Sequence, residues 1–365
     1  MIKVLLICLI ALCPTIAIAD SDDKIVVAHR GASGYLPEHT LASKAMAYAM
    51  GADFIEQDVV MSKDDQLLVL HDHYLDRVTD VMTVFPERFR EINGQKRWFA
   101  IDFTLAEIRQ LRVSEGFSVS SGADDDASGE FKANYSQRFP LFKSRFQVST
   151  LAEEIELIQG LNKSTGRNVG IYPEIKSPWF HRHEGKDISQ AVLITLKKYG
   201  YTNKGDKIYL QSFDPIELQR IHETLMPKLK MDLKLVQLIA MTDWNETMVY
   251  EESGPKPYDY SWMFEVGGMK TISEYADGVG PWMSMIVNPD SSRGKLNISA
   301  LVERAHAAEL KVHPYTFRLD PEALPDYVGS FDELLELFLY QLNVDGVFSD
   351  FPDRAVEFIR AKRAL

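Results

Sequence analysis

Cysteine is nearly absent from this chain. Its 365 residues include two, Cys8 and Cys13, and both lie in a short apolar run near the first residue. Beyond them no disulfide can form, so the chain must be held together by the size of its core. Positive charge is scarce beside negative: 40 Lys and Arg stand against 53 Asp and Glu, a formal net charge of −13. That balance argues against nucleic acid and against an anionic membrane surface as partners, though not against an anionic small molecule. Long apolar runs are missing too. VLLICLIAL (4–12) is too short to span a bilayer comfortably, and a polar stretch begins at Asp20. There is no GxSxG elbow, no P-loop, no GxGxxG and no repeat of 20–50 residues.

The first residues read as a secretion signal over 1–19. Lys3 supplies the positive end, 4–12 the apolar core, and Ala17-Ile18-Ala19 a small-x-small cleavage site. Cys13 raises the question of a lipid anchor, but Leu12 before it is large where small residues are expected. No stable membrane anchor is therefore expected. Cleavage after Ala19 leaves 346 of the 365 residues, 20–365, with no cysteine and, without Lys3, a formal charge of −14. That length suits one large α/β domain in an exported protein.

Strand-like runs alternate with helical patterns. Strands are expected at 24–29, 53–59, 168–175, 207–213, 234–240, 276–286, 311–317 and 345–349. Helical periods fall at 40–50, 150–162, 186–199, 215–225, 297–309, 331–341 and 353–363. Eight strands with intervening helices predict an α/β fold, a TIM (β/α)8 barrel. Residues 241–275 lack a clean helical period. A small insertion after strand two, roughly 73–149, breaks the rhythm and carries a polar stretch at 120–126 that reads as an exposed loop.

Charged residues stand where apolar strands run out. IVVAHRG (25–31) ends in His29 and Arg30, FIEQDVV (54–60) carries Glu56 and Asp58, LLVLHD (67–72) leads to His71, and VGIYPEIK (169–176) ends in Glu174 and Lys176. Such charges cost several kcal/mol unless paired or holding a metal. Barrel active sites sit at the carboxyl ends of the strands, and side chains two apart share a face. Glu56, Asp58 and Glu174 then offer three oxygen ligands and no sulfur, which suits Ca²⁺, with Mg²⁺ as the alternative, rather than zinc. The competing reading pairs these carboxylates with Arg30 and Lys176 and binds no metal. Arg30 can grip phosphate through its planar fork. His29 and His71 together could serve as acid and base. Gln211, Trp282, Tyr315 and Phe317 fall near strand ends and are expected to shape a small substrate pocket. His39 and His313 read as structural. His181 and His183 read as loop residues, facing substrate or solvent.

HRGASGYLPEHT (29–40), GADFIEQDVVMSKDDQLLVLHDHYLDRVTD (51–80), YPEIK (172–176), QSF (211–213) and HPYTFR (313–318) together resemble the glycerophosphodiester phosphodiesterase family, in its periplasmic bacterial type. The resemblance spans nearly all of 20–365. It implies a TIM barrel with the insertion after strand two, His29 and His71 as the acid–base pair, Glu56, Asp58 and Glu174 as metal ligands, and Arg30 and Lys176 near phosphate. Many members have Asn at the position of His39. The implied reaction converts small-molecule glycerophosphodiesters, such as glycerophosphocholine and glycerophosphoethanolamine, to sn-glycerol 3-phosphate and an alcohol, through a cyclic phosphate, in the periplasm. A homodimer stays open. Two other readings stay open beside it: a barrel phospholipase acting on membrane lipids, and a non-enzymatic surface-binding protein.

Overall fold

The computed structural model describes residues 24–119, 131–252 and 254–364. The expected signal at 1–19 and the polar stretch at 120–126 lie outside the described residues. Eight parallel strands form the central sheet: β1 (Ile25–Ala28), β2 (Phe54–Met61), β3 (Gly170–Ile175), β4 (Leu210–Ser212), β5 (Leu235–Ile239), β6 (Gly278–Pro281), β7 (Lys311–Val312) and β8 (Gly346–Ser349). Neighbours follow chain order, and β8 returns beside β1. The Asp345 amide donates to Val312, that of Phe348 to Pro314, and that of Phe317 to Phe348, which draws β7 and β8 together and closes the ring. The fold is a (β/α)8 barrel.

Helices α1 (Leu41–Met50), α2 (Leu151–Thr165), α3 (Ile188–Lys198), α4 (Pro215–Arg220), α5 (Gly268–Ile272), α6 (Leu301–Ala307), α7 (Phe331–Glu336) and α8 (Pro352–Arg363) surround it. Apart from Ile25 and Lys311 every residue of these strands is buried, so the strands read as continuous apolar runs rather than alternating ones. Val27, Phe54, Tyr172, Val236 and Phe348 fill the barrel. Their outward neighbours, including Val26, Ala28, Ile55 and Ile171, pack against helix residues such as Ile155 and Val192. Gly170 makes room inside: a Cβ there would lie 2.4 Å from the Phe54 ring.

Local signals set the helix ends. Thr40 caps α1 by accepting from the Ser43 amide, and Thr150 with Glu153 forms a capping box on α2. Several expected elements are shorter in the structure. The sixth strand ends at Pro281 and passes into a turn at Met283–Met285 instead of running to 286. The seventh stops at Val312, because Pro314 has no amide hydrogen to continue the ladder. Residues 241–275 hold a hairpin, Met248–Glu251 with Gly254–Pro257, and only the five-residue α5.

After β2 the chain doubles back as Leu67–Val69, pairing antiparallel with it. The described residues of 73–149 then pack beside the barrel around a second apolar cluster. Leu75, Trp98, Phe103, Ile108 and Leu111 meet Val60 and Leu68 there. Among the described residues no helix is long and apolar enough to cross a membrane.

Candidate active site

Strand register builds the centre. In the β2–β3 pair Asp58 lies beside Glu174, and in the β3–β4 pair Glu174 lies beside Gln211. Glu56, two residues before Asp58, shares its face. The result is a trio, Glu56, Asp58 and Glu174, whose ligand oxygens all lie within 4.8 Å of one another, each residue buried.

Electrostatics make this trio unstable as three free anions. Burial, with repulsion from Asp58, pushes the Glu56 carboxyl up to about 8. Burial likewise pushes Glu174 well above the usual carboxylate range, against the pull of Lys176. Burial also opposes ionisation of Asp58, but His39, His71 and Lys176 overcome it and hold that group well below the usual range. Asp58 Oδ1 is buried and has no hydrogen-bond partner among the described residues. An orphaned carboxylate oxygen within an all-oxygen donor set fits a hard divalent cation.

Two histidines flank the trio. His29 follows the end of β1, with Nε2 3.8 Å from Glu56 Oε2 and Nδ1 2.6 Å from Asp350 Oδ1. Burial and the Arg30 charge lower its pKa to about 4, against the pull of Asp350. His71 lines the same cavity as His29, its Nδ1 2.7 Å from Asp72 Oδ1, and burial with Arg30 and Lys176 lowers its pKa. Each ring therefore commits Nδ1 to a carboxylate and keeps Nε2 for chemistry.

Arg30 sits at φ 57, in a turn continued by Gly31 at φ 94. A Cβ on Gly31 would lie 2.5 Å from Ser43 Oγ, so this turn requires glycine. The Arg30 amide donates to Glu56 Oε2 at 2.8 Å, and its guanidinium meets Glu38 at 2.8 Å and approaches Asp58 at 3.6 Å. Arg30 Nε has no hydrogen-bond partner among the described residues.

These groups open on one cavity of about 320 Å³. It is lined by His29, Arg30, Glu56, Asp58, His71 and Glu174 on the polar side, and by Phe213, Trp244, Trp282, Tyr315 and Phe348 on the other. The sequence-expected Trp282 and Tyr315 thus face the centre. Trp282 stands edge-on to Trp244 at 5.2 Å, and the Tyr315 hydroxyl donates to the Ile239 carbonyl at 2.7 Å. Lys176 pairs with Glu174 at 2.9 Å and approaches Glu246 at 3.6 Å, lining an adjoining cleft. Gln211 lies behind the trio. Its amide donates to Glu56 Oε1 at 3.0 Å, which steadies a carboxylate rather than reaching the cavity.

Phe317 does not meet the expectation of a pocket residue. It is fully buried and packs edge-on against Phe338 of the helical layer. Its strand partner is Ser349, whose neighbour Phe348 points into the barrel, so Phe317 points out. His181 is not a loop residue either. It lies in a short helix, Pro178–His183, is buried, and accepts from the Met61 amide at 3.0 Å. His183 stacks on Tyr250 at 4.3 Å. His39 holds Asp58 at 2.8 Å and meets Lys44 at 3.1 Å.

Sequence reasoning missed Glu38, Asp72, Arg77, Arg138, Glu246 and Asp350. Asp72 adjoins His71 in the chain, a usable signal. Asp350 lies just past a strand that only the closed barrel brings beside His29.

Comparison with known proteins gives the same outline. A model of the glycerophosphoryl diester phosphodiesterase family matches residues 29–354. The chain is 50% identical over 343 residues to a glycerophosphodiester phosphodiesterase of Haemophilus influenzae, covering 93% of this chain and 90% of that one. It is 44% identical over 341 residues to one of Treponema pallidum, covering 93% and 92%. Among solved structures, an Oleispira antarctica phosphodiesterase in complex with the product sn-glycerol-3-phosphate matches with a TM-score of 0.58. It is 22% identical and covers 92% of this chain and 96% of its own, which is likeness of fold.

Proposed function

Because the chain belongs to the glycerophosphoryl diester phosphodiesterase family, we propose that it hydrolyses glycerophosphodiesters, such as glycerophosphocholine and glycerophosphoethanolamine, to sn-glycerol 3-phosphate and an alcohol. One observation carries the chemistry: two histidines, each anchored through Nδ1 to a carboxylate, flank a buried all-oxygen trio on a single cavity. Export to the periplasm belongs to the same reading and rests on residues 1–19.

Glu56, Asp58 and Glu174 would hold the metal, Ca²⁺ first and Mg²⁺ as the alternative. When bound it supplies positive charge against phosphate oxygens and lowers the pKa of a hydroxyl it contacts. Arg30, whose side chain lines the cavity, grips a phosphate oxygen, and Lys176 adds a second positive charge. The glycerol 2-hydroxyl attacks phosphorus while the Nε2 of one histidine takes its proton. The bond to the head-group oxygen breaks, and the other histidine protonates the departing alcohol. Water then opens the cyclic phosphate with the two rings in exchanged roles. The aromatic wall of Trp282 and Tyr315 excludes water from the far side.

The nucleophile is tested by comparing glycerophosphocholine with its 2-deoxy analogue at saturating metal. Intramolecular attack gains several kcal/mol from proximity, so kcat/KM should fall at least ~100-fold for the analogue. Equal rates would remove the cyclic route and make water the first nucleophile.

A further inference from the structure

Residues 73–149 hold both carboxylates that orient the active-site histidines. Arg138 donates to Asp350 Oδ2 at 2.6 Å and to Asp320 at 2.6 and 3.0 Å. The other oxygen of Asp350 faces His29 Nδ1 at 2.6 Å. On the second histidine the pattern repeats. Arg77 donates to Asp72 Oδ2 at 2.5 Å and pairs with Glu38, while Asp72 Oδ1 faces His71 Nδ1 at 2.7 Å. In each pair one carboxylate oxygen meets the imidazole and the other an arginine.

A carboxylate turns easily about its last carbon–carbon bond. Each guanidinium bridges two carboxylates, Arg138 between Asp350 and Asp320 and Arg77 between Asp72 and Glu38, so its planar set of donors fixes the turn of the aspartate where a lysine point charge would not. Arg138 and Asp350 are almost wholly buried, which keeps the interaction strong. Arg318 also reaches Asp350 Oδ2, through Nε at 2.9 Å, but from a more exposed position.

We propose that Arg77 and Arg138 are positioning residues for the reaction: the segment beside the barrel fixes the orientation of both histidines through Asp72 and Asp350. The inference rests on the reading of His29 and His71 as the acid–base pair.

The test uses the metal-loaded full chain with glycerophosphocholine as substrate. The variants are Arg77→Lys, Arg138→Lys and the double change Arg138→Met with Asp320→Asn, which removes one charge of each sign and guards against misfolding. The expected result is a kcat lowered ~10–100-fold with KM changed less than about threefold. With ¹⁵N-labelled histidine, the Nδ1 proton resonance of the affected ring should weaken or move upfield. A kcat within about twofold of the unaltered enzyme would overturn the proposal, as would a lowered kcat with unchanged histidine resonances. His29→Ala and His71→Ala run in parallel separate the two levels. If they retain full kcat, the acid–base reading fails. If they are inactive while the arginine variants run at full speed, only this inference fails.

Discussion

His29 and His71 give the sharpest expectation at the scale of single residues. Each ring is tied to a carboxylate at Nδ1, and its Nε2 is left for proton transfer. His29→Ala or His71→Ala should lower kcat at least ~100-fold, the usual scale for a lost acid or base. The melting temperature should move little, because neither side chain fills the barrel's apolar interior. Steady-state kinetics beside a thermal melt check this, and a near-wild-type kcat would make that residue structural. Glu56, Asp58 and Glu174 could be read from the chain because a charge inside a fully buried strand has few other roles. Asp350 could not. A lone aspartate past a strand carries no period or motif, and its partner His29 is 321 positions away in sequence.

At the scale of elements, the strand–helix alternation was legible wherever apolar runs were long and the caps clear, as at α1 and α2. It failed where the backbone leaves regular pairing. Beyond Val312 only single bridges continue the seventh strand, so a place near its end did not put Phe317 in the pocket. The fold of 73–149 was equally hidden, since its short pieces are stable only against one another and against Val60 and Leu68. That segment holds a titrating group of its own. Glu115 is 5% exposed and its Oε2 has no hydrogen-bond partner among the described residues. Burial pushes its carboxyl up to about 8, against the pull of Arg138. At low pH the group is protonated in both folded and unfolded chains and contributes nothing. As pH rises past the ordinary carboxylate range the unfolded chain loses its proton first, so stability falls until about 8, where the folded form ionises too. Glu115→Gln should therefore flatten that part of the pH–stability curve and raise stability near pH 8 by about 1 kcal/mol or more. Denaturant melts of metal-saturated protein at pH 5 and pH 8 would show it. An unchanged slope would mean that Glu115 is not held protonated.

At the scale of the whole molecule, an acidic chain places cations where its substrate would bind, each facing a carboxylate. The formal charge is −13, yet Arg30 and Lys176 stand beside the trio, and Arg77 and Arg138 behind the histidines. The barrel makes this possible by bringing residues from strands far apart in sequence to one rim. We propose that this rim works as a metal-dependent glycerophosphodiester phosphodiesterase. The most direct test follows release of sn-glycerol 3-phosphate from glycerophosphocholine in protein stripped of metal by a chelator, then resupplied with Ca²⁺, Mg²⁺ or Zn²⁺. The account predicts that turnover falls to background on stripping and returns with Ca²⁺ better than with Zn²⁺. Full activity in thoroughly demetallated protein would contradict it.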